Sequence, residues 1–248
     1  MRLIRFLLVF VLLVFALPAG ASLLHWQFSE RPGSWRQADW GSSGLLPPAS
    51  EAEDAAIYIL AARTGGLKGA LAVHSWLVTK APDATRYDRY EKVGWGQPVR
   101  RNSYPADGRW YSNDPFIVAS FHGETAARLL PRIEAAIAAY PYRNRGDYRI
   151  WPGPNSNSFI AHVLDTVPDL QTALPSNAVG RDFRPGLFAF DIAPDHRDLH
   201  VTLGGLAGFA IGARYGLELQ FLGLVAGFDF AQPAIKVPGW GRLPLSAS

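Results

Sequence analysis

A chain of 248 residues, 48% hydrophobic and 18% charged, holds enough apolar material for a full core and too little charge to remain disordered. Its formal charge of +3 comes from 24 Lys and Arg against 21 Asp and Glu, and two of those positives are Arg2 and Arg5, so no basic excess is left for nucleic acid. Cysteine is absent, which excludes thiol chemistry and makes a serine the nucleophile of any acyl transfer.

The chain begins with a positively charged segment, residues 1–5, then an apolar run from Phe6 to Leu17 and a small-residue site, Ala19-Gly20-Ala21, before Ser22. That is the layout of a secretory signal peptide. The charge-free stretch extends to Leu24, close to the length that crosses a bilayer, so residues 1–24 read as a signal peptide or a retained anchor, with the anchor slightly favoured. Pro18 and Gly20 weaken a single long helix there. The early positive charges precede the run, so the body is expected outside the cytoplasm, anchored and facing the periplasm or exported to it.

Residues 25–55, with Pro32, Gly33, Gly41, Gly44, Pro47 and Pro48, read as a tether or loop packed by Trp26, Trp35 and Trp40. The remainder, 56–248, reads as one globular domain. Ala55 to Ala62 suits a short helix or a strand, closed by Thr64-Gly65-Gly66. Ala70 to Lys80 alternates and is predicted as a strand, with a second over Arg86 to Trp95 and further strands at Trp110-Tyr111 and Phe116 to Phe121. Helical spacing of Leu129, Ile133, Ala136, Ile137 and Tyr140 predicts a helix over Glu124 to Tyr140, begun or kinked by Pro131. Tyr148 to Trp151 is predicted as a short strand and Ser156 to Val167 as a helix stopped by Pro168. From 181 to 248 the chain reads as a Gly-rich β extension, in which Leu217, Leu219 and Phe221 alternate with Glu218 and Gln220. Gly204, Gly205 and Gly208 lack the dinucleotide-loop spacing, and no cofactor is implied. The fold class is α+β.

A helix starting at Asn155 or Ser156 puts Ser156, Phe159, Ile160 and Val163 on one buried face, and Ser158 on the other. Its N-terminus offers free N–H groups and a positive dipole end for an oxyanion, with Asn155 as cap or as a further donor. His74 shares a strand face with Ala72, Trp76 and Val78, where desolvation keeps an imidazole neutral, as a general base requires. Each has a plainer reading: His74 as a core histidine, Ser156 as a helix-capping serine. Glu91, Asp88 and Tyr90 are the candidates for a third group that orients the base. His196 and His200 have the i, i+4 spacing of a helical metal pair, but Pro194 and the acids Asp191, Asp195 and Asp198 make a polar loop the better reading, so no metal is expected. Arg100-Arg101 and Arg143 to Arg149 read as solvated loops.

Several motifs together resemble the bacterial domain of unknown function 3750 family: RPGSWR at 31–36, AVHSW at 72–76, VGWG at 93–96, PRIE at 131–134, YPY at 140–142 and WPGPNSN at 151–157. The resemblance runs from about Arg31 to Leu243 and brings no activity with it. A looser resemblance is to the circularly permuted papain-like (NlpC/P60-like) superfamily. There a strand His is followed far downstream by Asn-Cys-x-x-Phe at a helix start, and here Ser156 stands in the cysteine's place. It implies a permuted papain-like antiparallel sheet with packed helices, and a site of His74, Ser156 and Asn155. The expected function is a Ser-His hydrolase or acyltransferase acting on an amide or ester in the cell envelope. The rival is a non-catalytic envelope binding or structural domain that retains the fold, motivated by the many Trp and Tyr residues. The partners implied are the cell membrane, through the N-terminal segment, and a peptidoglycan, peptide or lipid ligand.

Overall fold

A computed structural model describes residues 1–193 and 195–245; Pro194 and residues 246–248 lie outside the described residues. The centre of the body is a five-stranded antiparallel sheet, ordered β4-β3-β2-β1-β5. Strand β1 (Ala56–Arg63), paired on both sides, is buried on both faces, which is why its unbroken apolar run did not distinguish strand from helix. Next to it lie β2 (Val73–Lys80) and β5 (Phe116–His122), with β3 (Asp88–Lys92) and β4 (Val99–Arg101) outside β2.

One face of this sheet, with Ile57, Ile59, Val73 and Leu77, packs under two helices. These are α2 (Gly123–Ala139), which presents Leu129 and Ile133, and α3 (Ser156–Thr166), which presents Phe159, Ile160 and Val163. The opposite face, with Tyr58, Leu60, Trp76 and Val78, packs against Leu46, Val93 and Trp110. Pro131 neither begins nor breaks α2: it lies exposed inside a helix that runs on to Ala139.

Two predicted strands are absent. Trp110 makes only an isolated bridge to Asn113, because Tyr111 and Ser112 adopt left-handed backbone that turns the chain. Tyr148 to Trp151 has no sheet partner; the Arg149 N–H closes a local loop on Pro154 O instead. The strand expected over Arg86 to Trp95 stops at Lys92, ahead of Gly94 and of Gly96, which has a φ of +65°. The N-terminal segment is one helix, α1 (Arg2–Gln27), through Pro18 and Gly20. A π-helical turn, Leu12–Ala16, lies just ahead of Pro18 and accommodates the missing N–H.

The C-terminal quarter is a seven-stranded antiparallel meander from β6 (Phe188–Ile192) through β7 (Asp198–Leu203), β8 (Ala207–Gly212), β9 (Gly216–Phe221), β10 (Leu224–Asp229) and β11 (Ala234–Val237) to β12 (Gly241–Pro244). Its alternation is inverted. On β9, Glu218 and Gln220 are buried while Leu217 and Leu219 are exposed. Glu218 is paired with Arg181 of the loop before the sheet and with Lys236 of β11, and Asp182 of that loop lies 3.3 Å from His200. Asp198 pairs with Arg214 at 2.6 Å. Both sheets are antiparallel, and α2 and α3 pack on one of them, so the fold is α+β.

Candidate functional site

Strand geometry assembles the first part of the site. Residues two apart on a strand share a face, so Arg89 and Glu91 of β3 both point to the side of β2 that carries His74 and Trp76. His74 Nε2 lies 2.9 Å from Glu91 Oε2, and Arg89 Nη2 reaches the same oxygen at 2.9 Å. Arg89 also donates to Pro105 O at 2.9 Å, and its guanidinium lies 4.2 Å over the Trp76 ring. The imidazole stacks on Trp110 at 3.7 Å between centroids and 5° between planes. All three charged or titratable groups are buried. Of the three candidate orienting groups, Glu91 is the one at His74. Asp88 pairs with Arg101 and Asn102 instead, and Tyr90 faces the other side of the sheet.

Burial pushes the His74 pKa below its ordinary value, and the hydrogen bond and charge of Glu91 only partly oppose this. Burial also works against the Glu91 carboxylate, yet the His74 hydrogen bond and the Arg89 charge hold its pKa below the ordinary range. The consistent state is a neutral imidazole beside an ion pair. Glu91 as acceptor assigns the proton to Nε2, so Nδ1 carries the lone pair.

The second part comes from the start of α3. Asn155 is the cap: its Oδ1 accepts from the N–H groups of Asn157 at 2.9 Å and Ser158 at 3.1 Å, and Ser158 Oγ accepts from Asn155 N at 2.7 Å. This reciprocal pair is a capping box. The plain reading of Ser156 as the cap is therefore replaced, since Ser156 is the first helical residue. Asn155 Nδ2 donates to Ile150 O at 3.0 Å and Val179 O at 2.9 Å, so the amide is consumed in structure and is not free for an oxyanion. The first-turn N–H without an acceptor among the described residues is that of Ser156 itself. Ser158, expected on the outer side, is buried and lies 3.3 Å from the Tyr140 hydroxyl.

His74, Ser156 and Asn155 all line one cavity of about 680 Å³, with Trp95, Trp110, Tyr111 and Trp151 among its walls. Among the described residues no hydrogen bond joins Ser156 to His74. The imidazole lies on the Trp76 face of the sheet while α3 covers the other, so they share the cavity only at the sheet's end. Tyr148 is a wall that sequence reasoning missed. Burial pushes its phenol up to about 12, and the adjacent Ser156 hydroxyl partly offsets the shift. It lies in the segment expected to be a short strand, and no local pattern marks it as part of a site. His196 lies in a turn and His200 on β7, so their spacing builds no helical metal face; His200 is a strand residue and not part of a loop. Among the described residues no cluster suited to a metal ion is present.

A family model described as a protein of unknown function, DUF3750, matches residues 54–183. The chain belongs to that family. The matched segment runs from β1 past α3, includes His74, Glu91, Tyr148 and Ser156, and stops before the meander. It is narrower than the span from Arg31 to Leu243 over which the motifs are spread. No curated protein and no solved structure matches the chain.

Proposed function

We propose that the domain is a membrane-tethered acyl hydrolase or acyltransferase of permuted papain-like design, acting on an amide or ester in the cell envelope. The observation that carries this reading is the Glu91–His74 pair, which leaves the lone pair of the imidazole on Nδ1 in a ring that lines the same cavity as Ser156. In the reaction Ser156 Oγ attacks the acyl carbon while its proton passes to His74 Nδ1. The tetrahedral oxyanion meets the Ser156 N–H at the positive end of α3, and the leaving group departs with the proton held by His74. Glu91 holds the ring's tautomer and stabilises the imidazolium as it forms. The serine must swing towards His74 for the first step, because the two are not hydrogen-bonded at rest.

The resting separation favours one other reading, a non-catalytic domain whose aromatic cavity binds an envelope ligand. One experiment separates them. The full chain in detergent is treated with a fluorophosphonate that modifies activated serines. Labelling lost in both Ser156→Ala and His74→Ala supports the enzyme. No labelling, together with binding of peptidoglycan fragments or lipids that Ser156→Ala leaves unchanged, supports the binding domain. The tether is α1, 26 residues long, whose most apolar 18-residue window has a mean hydropathy of 2.6 and is 17% buried. The body faces the periplasm in this reading, because Arg2 and Arg5 stay on the cytoplasmic side.

A further inference from the structure

The meander has an outward face with no polar side chain. Register pairs Phe190 with Val201, Val201 with Phe209, Phe209 with Leu219 and Leu219 with Ala226, and the flanking rows are equally apolar out to Ile235 and Leu243. The β6 side chains Phe188, Phe190 and Ile192 are 60%, 56% and 54% exposed. Six strand spacings of ~4.8 Å and strands of about five residues at ~3.4 Å give a footprint of roughly 500 Å². A continuous apolar patch of that size marks an interaction surface, since soluble monomers seldom leave one larger.

The position of α1 says what covers it. Phe15 packs on Phe221, an outward residue at the end of β9, with centroids 5.7 Å apart. From Phe15 onward the helix is held by the body: Ala19 and Ser22 are buried, Ser22 Oγ donates to Ala70 O at 2.6 Å, and Trp240 Nε1 donates to Pro18 O at 3.2 Å. Residues 2–14 have no buried position. Those 13 residues make about 20 Å of free helix at ~1.5 Å per residue, short of the ~30 Å hydrocarbon thickness. For a helix near the membrane normal, a body held above the lipid would draw Arg2 and Arg5 into the hydrocarbon. Sinking the apolar face by several ångströms relieves this, and the same medium then covers both surfaces. A second copy stacked on the sheet would cover the face and leave the free helix bare.

We infer that the outward face of the seven-stranded sheet is seated in the lipid bilayer that α1 enters, with its Phe, Leu and Ile side chains among the acyl chains. The ionic layer on the inward face is the complement of this arrangement: the sheet meets lipid on one side and the polar body on the other. The inference rests on α1 lying in a membrane, and not on the reactivity of Ser156.

The test uses the full chain in liposomes. Since the chain has no cysteine, Phe190→Cys, Phe209→Cys, Leu8→Cys in α1 and Glu134→Cys on exposed α2 each accept one environment-sensitive fluorophore. The expected result is a blue shift and loss of most emission to lipid-borne nitroxide at 8, 190 and 209. At 134 the label should be quenched only by aqueous iodide. Lipid quenching at 8 with iodide quenching at 190 and 209 overturns the inference and leaves the anchor standing. Iodide quenching at all four positions overturns the anchor as well. Labels at 190 and 209 shielded from both quenchers, in a protein of dimer mass in dilute detergent, overturn it in favour of a second copy.

Discussion

Replacing Glu218 with Leu puts an apolar side chain at a fully buried strand position, which in an ordinary sheet would stabilise the core. Here the expected sign is opposite. Glu218 is 0% exposed, and its carboxylate is shared between Arg181 and Lys236, themselves buried. Removing it leaves two cations in a low-dielectric layer. Arg181 keeps Asp182 at 3.5 Å and Lys236 keeps Tyr215 O, so the loss belongs at the lower end of the range for a broken buried pair, about 3 kcal/mol. For a chain of this size that is a fall in Tm of about 6–12 °C. Circular dichroism melts of the full chain in one detergent measure it. The double variant Glu218→Leu, Lys236→Met, which removes one cation together with the anion and leaves Arg181 beside Asp182, is expected to recover part of the loss. A Glu218→Leu protein that melts within 2 °C of the parent, or above it, refutes the account of the meander as a sheet held to the body by ion pairs.

The remaining predictions concern the cavity. Because burial lowers the His74 pKa, the imidazole stays neutral in the folded chain when the unfolded chain begins to protonate. Stability therefore falls as pH drops below 6.5, and falls further below 4.5 as the depressed Glu91 carboxylate loses its advantage; denaturant melts across that range check both steps. By the same sign, the acid limb of kcat/KM lies below pH 6.5 in the active-serine reading, and Glu91→Gln lowers kcat far more than it raises KM. Gly180→Ala is expected to cost about 2–3 kcal/mol, since its Cβ would sit 2.1 Å from Asn155 Nδ2 at a φ of +93° and displace the cap. Gly44→Ala, with a φ of +73° and open space around it, should cost about 1 kcal/mol, and urea denaturation of the two side by side tests the contact.

Periodicity carried the reading wherever one element alone decided its structure. The apolar repeat of α2, the alternation of β2 and the start of α3 are local patterns, and each helix begins within one residue of its expected position. So was the placing of His74 on the Trp76 face, because alternation on a strand needs no partner to define it. The strands expected at Trp110-Tyr111 and Tyr148 to Trp151 do not form, because a strand exists only if an edge is available to pair with it. Asn155 was legible as a cap, but not as an amide whose other end is spent on Ile150 and Val179, which requires knowing what lies 24 residues downstream.

Composition and local spacing thus determined the α+β class, the apolar N-terminal segment, the serine at a helix start and a histidine with three candidate partners. The alternation of β9 was equally plain, and only its direction was not: a two-residue period says that the faces differ but not which one is inside. That choice depended on charges brought from outside the strand, Arg181 from the loop after α3 and Lys236 from β11. The selection of Glu91 over Asp88 and Tyr90 was likewise made by register across the sheet. Pairing of this kind is a long-range property, and it was decided when the chain closed on itself.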